Sequence, residues 1–190
     1  MGRSLAPSPL LSSLVTSEAL LAGADEEAKQ RLLPRIAMGE VAAFADLTTG
    51  SSEAVDVLDG DLATVLVIAT DDGLYEVDPA AAPESVQRTW TPTMDQTIRL
   101  ARVRVDTRRA TRIADDASAA RDRARLVGAV GVSALAAGCA ALALDMTVSY
   151  SKERVQFGRP IGSFQALKHR MADMLVELEM CRSASWAASY

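Results

Sequence analysis

The last third of this sequence limits the possible folds most. From about Asp115 to Ser151 or Arg154 it reads as one helix of roughly 35 residues, and a second helix opens after Ser163. A helix that long gains little from propensity alone and must bury a face against a partner. Gly128, Gly131 and Gly138 each cost about 1 kcal/mol relative to Ala in a helix interior. With Ser133, Ala134 and Ala137 they make a small-residue face that lets another helix approach closely. Phe157-Gly158-Arg159-Pro160-Ile161-Gly162 cannot continue a helix and reads as a connection, after which Ser163 is placed to cap the last helix. In that helix Phe164, Leu167, Met171, Met174, Leu178 and Cys181 recur at spacings of three and four, the pattern of a bundle seam. The seam runs to the last residue without a stop signal, so an incomplete bundle is expected.

The preceding residues divide into two stretches. Residues 1–40 are helical: Leu10, Leu11, Leu14, Val15, Leu20 and Leu21 form a first apolar pattern that Gly23 closes. Asp25 is a good N-cap for a second helix, and Asp25-Glu26-Glu27 sets three acids at its positive end. Pro34 should kink or end that helix. Residues 41–113 change period. The runs 41–45 and 63–69 are short, apolar and bounded by Gly and Asp, as buried strands are. Asp71-Asp72-Gly73 reads as a tight turn into Leu74-Tyr75-Glu76-Val77. Between Thr97 and Asp106, Ile98, Leu100, Val103 and Val105 alternate with arginines, with a one-residue slip near Ala101 of the kind a β-bulge makes. The expected fold is therefore α+β, mostly α: a long antiparallel helix pair of a bundle (114–190), a small antiparallel β-domain (41–113) and an N-terminal helical segment (1–40).

Composition narrows the function classes. With 190 residues, 49% hydrophobic and 24% charged, the chain can build a core and is not disordered. A net charge of −5 argues against nucleic-acid binding, which needs a basic surface. No apolar run is read as reaching the ~18–20 residues of a membrane span, and no signal peptide opens the chain, so a cytoplasmic protein without a membrane partner is expected. Cys139 and Cys181 lie in apolar helical patterns and read as reduced core residues. The lone His169 removes most metal and His-based catalytic schemes, and no metal site is expected.

Chemistry concentrates between Tyr150 and Gln165. Arg154 falls at a helix C-terminus, where its planar fork suits bidentate phosphate binding. Gln156 and Gln165 can hydrogen-bond a polar ligand edge, Phe157 and Phe164 offer flat apolar surface, and the start of the last helix favours an anion. On these residues alone, Arg154 could equally well only complement the helix dipole, with the aromatics in the core.

Lys152 to Gln165, continuing into Lys168-His169-Arg170-Met171-Ala172-Asp173-Met174, resembles the helix–turn–helix signature of acyl-CoA dehydrogenases, with the spacing from Arg to Phe-Gly and on to Gln kept without gaps. Ala24 to Glu40 is similar to the helix leading into that family's middle β-domain. The resemblance covers nearly the whole chain, although the family's proteins are about twice as long. It implies an acyl-CoA dehydrogenase-type helical bundle and a flavoprotein that removes two hydrogens across Cα–Cβ of an acyl-CoA thioester. FAD takes the hydride, and an electron-transfer flavoprotein receives the electrons. By the same resemblance Arg154 and Gln156 contact FAD phosphates and ribose, usually of the neighbouring subunit, while Phe157, Phe164 and Gln165 line that cofactor.

The sequence also departs from the family. Where the family's flavin-holding loop resembles Thr-Glu-Pro-Gly-Ala-Gly-Ser-Asp, this chain has Ala45 to Ser52; only Gly50 and Ser51 match, with Asp46 as an acidic stand-in. The family's Trp-x-Thr/Ser has no counterpart near Val55–Asp61; the tryptophans are Trp90 and Trp186. No catalytic base is identifiable. One position used by the family falls close to Gly128, and its CoA-side acids and Arg fall on Leu126 and Ala129. Glu153, Glu177 and Glu179 read as solvated helix faces. Three readings follow: an acyl-CoA dehydrogenase subunit, a non-catalytic partner subunit that completes its neighbour's FAD site, and a helical interaction module. The first leads, with cofactor contacts at Arg154, Gln156, Phe157, Phe164, Gln165 and Ser51. The partners it implies are acyl-CoA, an electron-transfer flavoprotein, and further subunits joined through the C-terminal helices in a homo- or hetero-oligomer.

Overall fold

The computed structural model describes residues 2–47 and 51–190. They form two compact units, one of residues 7–128 and one of residues 2–6 with Ala129–Tyr190. About 52% of the chain is helical beside a small set of strands, the α+β, mostly α class expected from the sequence.

In the first unit, α1 (Leu10–Gly23) is followed by α2 (Glu26–Ala37), whose N-cap Asp25 accepts from the Ala28 amide at 2.8 Å. Gly23 closes the first helix and Asp25 opens the second, as the sequence predicts. Pro34 does not end α2, which runs three residues further to Ala37, where the Met38 amide closes on the Pro34 carbonyl at 2.9 Å. Proline removes only its own N–H, so the turn after it can still form.

Among the described residues seven strands follow: β1 (Ala42–Asp46), β2 (Glu53–Leu58), β3 (Val65–Thr70), β4 (Gly73–Val77), β5 (Val86–Thr91), β6 (Leu100–Val105) and β7 (Thr111–Ala114). They make a four-stranded sheet in the order β1-β3-β4-β7 and a three-stranded one in the order β2-β6-β5. The Asp71–Gly73 turn joins β3 to β4, with Thr70 opposite Gly73. The β unit is not wholly antiparallel. β1 pairs with β3 in parallel, Ala42 against Val65 through Asp46 against Ala69, because the chain leaves for the other sheet as β2 before returning as β3.

β3 is buried on both faces, which explains its continuous apolar run. Val65 and Val67 face Leu20, Leu32 and Ala120 of the helices, while Leu66 and Ile68 face Val57 and Val103 of the second sheet. Because α1 and α2 share this core with the strands, residues 1–40 and 41–113 do not separate as compact units. The bulge lies on a different strand from the one expected. β6 alternates regularly, with Ala101, Val103 and Val105 inward, while Leu100 is half-buried and Ile98 exposed. The extra residue belongs to β2, where Ala54 faces Val103 but Val57 faces Ala101, and Asp56 takes φ +57°.

α3 (Ser118–Glu153) is one helix of 36 residues. Its central stretch overturns the expectation that no run is long and apolar enough for a membrane span. An 18-residue window with mean hydropathy 2.1 meets that length and composition, and its residues, Ala137 apart, are half-buried or exposed in this chain. Alanine and glycine fill it, which is why it reads as a small-residue face rather than an apolar run. In the second unit, Gly138 of that face is approached by the short 3₁₀ turn Gly2–Ser4 and not by a long helix: a Cβ there would come within 2.7 Å of the Arg3 amide nitrogen. Cys139 Sγ lies 3.2 Å from the Gly2 carbonyl oxygen, and Arg3 pairs with Asp145 at 2.5 Å.

α4 (Gln165–Ala187) runs antiparallel to α3, since Ser133 Oγ meets Ser185 Oγ at 3.0 Å while Ser151 Oγ meets Met171 Sδ at 3.6 Å. Between the two helices lies an apolar groove of about 800 Å³, lined on the α4 side by Met174, Leu178 and Cys181 of the expected seam. Leu178 is buried; Cys181 is exposed and free, so it is not the core residue its pattern suggested. Cys139 is free and half-buried.

Candidate functional site

The turn between α3 and α4 is built from short-range rules. α3 ends at Glu153, and β8 (Val155–Gln156) and β9 (Arg159–Pro160) form a hairpin joined by Phe157 and Gly158. Both turn residues have positive φ, +55° and +77°, as a two-residue hairpin with primed geometry requires. The hairpin is tied back to α3 where the Ile161 amide donates to the Arg154 carbonyl at 2.8 Å. Gly162 sits against buried Ser151, where a Cβ would come within 2.9 Å of the Ser151 carbonyl oxygen. Ser163 does not cap α4: the N-cap is Phe164, no side chain caps it, and the Ser163 Oγ is buried without a partner.

This hairpin gathers five of the six expected site residues onto one short segment. Arg154 is exposed, and its guanidinium makes no ion pair or side-chain hydrogen bond among the described residues. Gln156 and Gln165 are exposed as well, and no hydrogen bond from their side chains is formed among the described residues. Phe157 presents its ring to solvent at 93% exposure and meets Phe164 edge-on, with ring centres 6.2 Å apart and planes at 89°. Arg159, which the sequence reading did not single out, lies over the Phe164 ring at 4.2 Å. Its place two residues after Phe157 in the hairpin was the available signal. Phe157 is thus at the surface while Phe164 is half-buried, and Arg154 is a cation without a partner anion among the described residues. Such a set of one guanidinium, two free amides and an exposed ring suits a polyanionic ligand with a flat polar body.

The sixth residue, Ser51, lies in the other unit and is engaged locally: its Oγ donates to the Glu53 carbonyl at 2.9 Å and accepts from the Glu53 amide at 3.1 Å. Gly50, the other match to the flavin loop, is outside the described residues, as are Thr48 and Thr49. Asp46, the acidic stand-in, is held by Arg121 at 3.0 Å and Arg125 at 3.2 Å. Leu126 and Ala129 are exposed and Gly128 half-buried on α3, and none of them carries a carboxylate. Among the described residues no group of His, Cys, Asp and Glu could hold a metal ion.

Residues 124–190, which contain this hairpin, match the family model of the acyl-CoA dehydrogenase C-terminal domain. Acyl-CoA dehydrogenase IpdE2 of Mycolicibacterium smegmatis is 37% identical over 183 residues, covering 96% of this chain and 52% of that protein. IpdE2 of Mycobacterium tuberculosis is 37% identical over 194 residues, covering 96% of this chain and 51% of its own length. Among solved structures, a variant of the Tcur3481-Tcur3483 steroid ACAD superposes with a TM-score of 0.80 at 28% identity, covering 99% of this chain and 57% of that one. Butyryl-CoA dehydrogenase from Megasphaera elsdenii shares the fold with a TM-score of 0.77 at 18% identity, over 94% of this chain and 56% of its own. Over nearly its whole length the chain resembles acyl-CoA dehydrogenases, and residues 124–190 carry the match to that family's C-terminal domain. The chain spans about half the length of the curated relatives it matches.

Proposed function

We propose that this chain is an acyl-CoA dehydrogenase-like flavoprotein subunit, acting in FAD-dependent α,β-dehydrogenation of acyl-CoA thioesters. The observation that carries the reading is the unpaired Arg154 guanidinium and, three residues on, the exposed Phe157 ring, within the segment that matches the family. Arg154, Gln156 and Gln165 would hold the phosphate and ribose part of FAD, and Phe157 with Phe164 would shield it from water. The chemistry FAD supplies in such a site is acceptance of the hydride leaving Cβ. Removing the Cα proton needs a positioned carboxylate, and Leu126, Gly128 and Ala129 offer none.

That gap favours a second reading, in which the chain is the non-catalytic partner of a hetero-oligomeric dehydrogenase and completes its neighbour's FAD site. The description of the steroid ACAD relative names two components, which fits such an arrangement. Both readings need assembly through the C-terminal helices. Val132, Met146, Tyr150, Leu175, Met180 and Trp186 are exposed apolar residues of α3 and α4, more than a monomer ordinarily leaves in water. Acyl-CoA and an electron-transfer flavoprotein are the proposed substrate and electron acceptor.

The deciding experiment is a visible absorption spectrum of the purified protein, alone and mixed with candidate partner subunits. Flavin bands of the protein alone that bleach on adding an acyl-CoA uphold the catalytic reading, and bands that bleach only once a partner subunit is added favour the partner reading. A protein that carries no flavin in any combination sinks both.

A further inference from the structure

In the unit of residues 7–128, a pocket of about 580 Å³ opens between the segment before α1, the β2–β3 connection and the β5–β6 connection. Its most buried charged group is Asp59, a residue only 9% exposed that lines the pocket beside Ser8, Gln96 and Thr97. Asp59 is fixed by its backbone: its amide donates to the Arg99 carbonyl at 2.9 Å and its carbonyl accepts from the Ala63 amide at 3.0 Å. It also holds φ +52°, a conformation aspartate tolerates better than most residues. One carboxylate oxygen, Oδ2, accepts from the Ser12 hydroxyl at 2.7 Å, and Oδ1 has no hydrogen-bond partner among the described residues.

The one cation lining this pocket, Arg99, feels both Asp59 and Asp61 but hydrogen-bonds only Asp61. Arg99 is committed to Asp61, with its Nε 2.8 Å and its Nη2 2.5 Å from Oδ2. Two carboxylates therefore share one guanidinium, and the surplus negative charge sits on the more buried of them. A buried carboxylate is stabilised by a paired cation or further donors. The remaining walls are mixed: Ser8, Thr93, Gln96 and Thr97 are polar, while Pro7, Pro9, Leu62, Pro92 and the half-exposed Trp90, whose ring has Arg99 5.7 Å from its centre, give an apolar, partly aromatic side. An indole ring in such a wall attracts a cation in its own right.

We infer that this pocket binds an organic cation, an ammonium or guanidinium group on an apolar body, with the charged end donating to Asp59 Oδ1 and the body lying along Trp90 and the prolines. A free amine and a basic side chain of a protein partner both present this chemistry. The site shares no residue with the Arg154 hairpin, so its test is independent of the flavin reading.

The test uses the full chain with Trp186→Phe, which leaves Trp90 as the only tryptophan. Trp90 fluorescence is titrated with benzylamine and, as a neutral control, benzyl alcohol. Benzylamine should give a saturable change, with benzyl alcohol at least about tenfold weaker, since a hydrogen bond to a charged group is worth roughly ten- to a hundredfold. Asp59→Asn keeps an acceptor for Ser12 and suits the positive φ, so it should fold while losing benzylamine affinity by about tenfold or more. Trp90→Leu, followed by calorimetry, should also weaken binding. Nα-acetyl-lysine methylamide binding more tightly than benzylamine assigns the cation to a protein side chain, and the reverse assigns it to a free amine. Equal affinity for benzylamine and benzyl alcohol, an unchanged affinity in Asp59→Asn, or no saturable response overturns the proposal.

Discussion

The guanidinium carbon of Arg159 lies 4.2 Å from the centre of the Phe164 ring, on the hairpin that joins the two long helices. That contact, with Phe157 edge-on to the same ring, holds an aromatic residue at φ +55° in a turn position where glycine or asparagine is usual. Replacing Phe157 by Gly removes backbone strain of about 1 kcal/mol and an aromatic pair worth about as much. Phe157→Gly should therefore change unfolding free energy by less than about 1 kcal/mol in urea titrations while weakening flavin binding severalfold. A variant that binds flavin as well as the parent would remove Phe157 from the site.

Arg154 is the sharper probe. A desolvated charge-assisted contact is worth about 1.5–3 kcal/mol, so Arg154→Ala should weaken FAD binding by roughly ten- to a hundredfold in a flavin titration of the assembled oligomer. Arg154→Lys should recover little of it, because an ammonium lacks the planar fork. Since Arg154 is exposed and unpaired in this chain, neither change should alter the thermal midpoint by more than a degree or two. Equal flavin affinity across all three proteins would leave Arg154 as a helix-end cation only.

What the sequence revealed was mostly local. The Asp25 cap, the Gly23 stop, the Asp71–Gly73 turn and the limits of α3 depend on neighbours a few residues away, and each is found where it was expected. What it hid depends on long-range partners. The parallel pairing of β1 with β3 follows from where β2 goes, which no pattern within β1 records. The bulge was read on β6 because its arginines make the alternation visible, yet the extra residue sits on the facing strand. Ser163 has the chemistry of a cap, but the short turn of 3₁₀ helix at Ile161–Ser163 places it one residue too early. At the site, residue types and spacing made the turn after α3 legible, while the choice of Arg154, Gln156 and Gln165 rested on the family resemblance. Arg159 was missed because its stacking depends on how the turn places it over Phe164, and Asp59 because its burial is set by elements distant in sequence.

Two glycines should respond in opposite directions to the same substitution. A Cβ on Gly23 would lie 2.7 Å from the Ala120 Cβ and 2.9 Å from the Ala120 backbone nitrogen, where α1 meets the start of α3. Gly23→Ala should destabilise by about 1–3 kcal/mol, because the neighbouring backbone has to move. On Gly128 the nearest neighbour would be Val15 Cγ2 at 3.9 Å, an ordinary contact. Gly128→Ala should therefore stabilise α3 by up to about 1 kcal/mol through helix propensity. Urea midpoints of the two variants decide it, and a stabilised Gly23→Ala would mean that α1 and α3 are less closely packed than their geometry shows.

Acid should loosen the junction of α2 with the sheet. Arg35 near the end of α2 grips Glu40 with two bonds, Nε to Oε1 at 2.9 Å and Nη2 to Oε2 at 2.8 Å, and Thr64 donates to Glu40 Oε2 at 2.8 Å. The Arg35 hydrogen bonds, then that of Thr64, hold the Glu40 carboxyl below its ordinary value of 4.5. The same Glu40 hydrogen bonds raise Arg35. For a carboxyl lowered in the folded state, the unfolded chain binds the proton first as pH falls. The stabilisation is therefore fully present above about pH 4.5 and is lost as pH drops through the folded value. Glu40→Gln retains an acceptor for Thr64 but no charge for Arg35, so it should lower the thermal midpoint near neutrality. The gap between parent and variant should then close progressively below about pH 4.5. A gap of constant size from neutral pH down to about pH 3 would show that Glu40 acts by shape and not by charge.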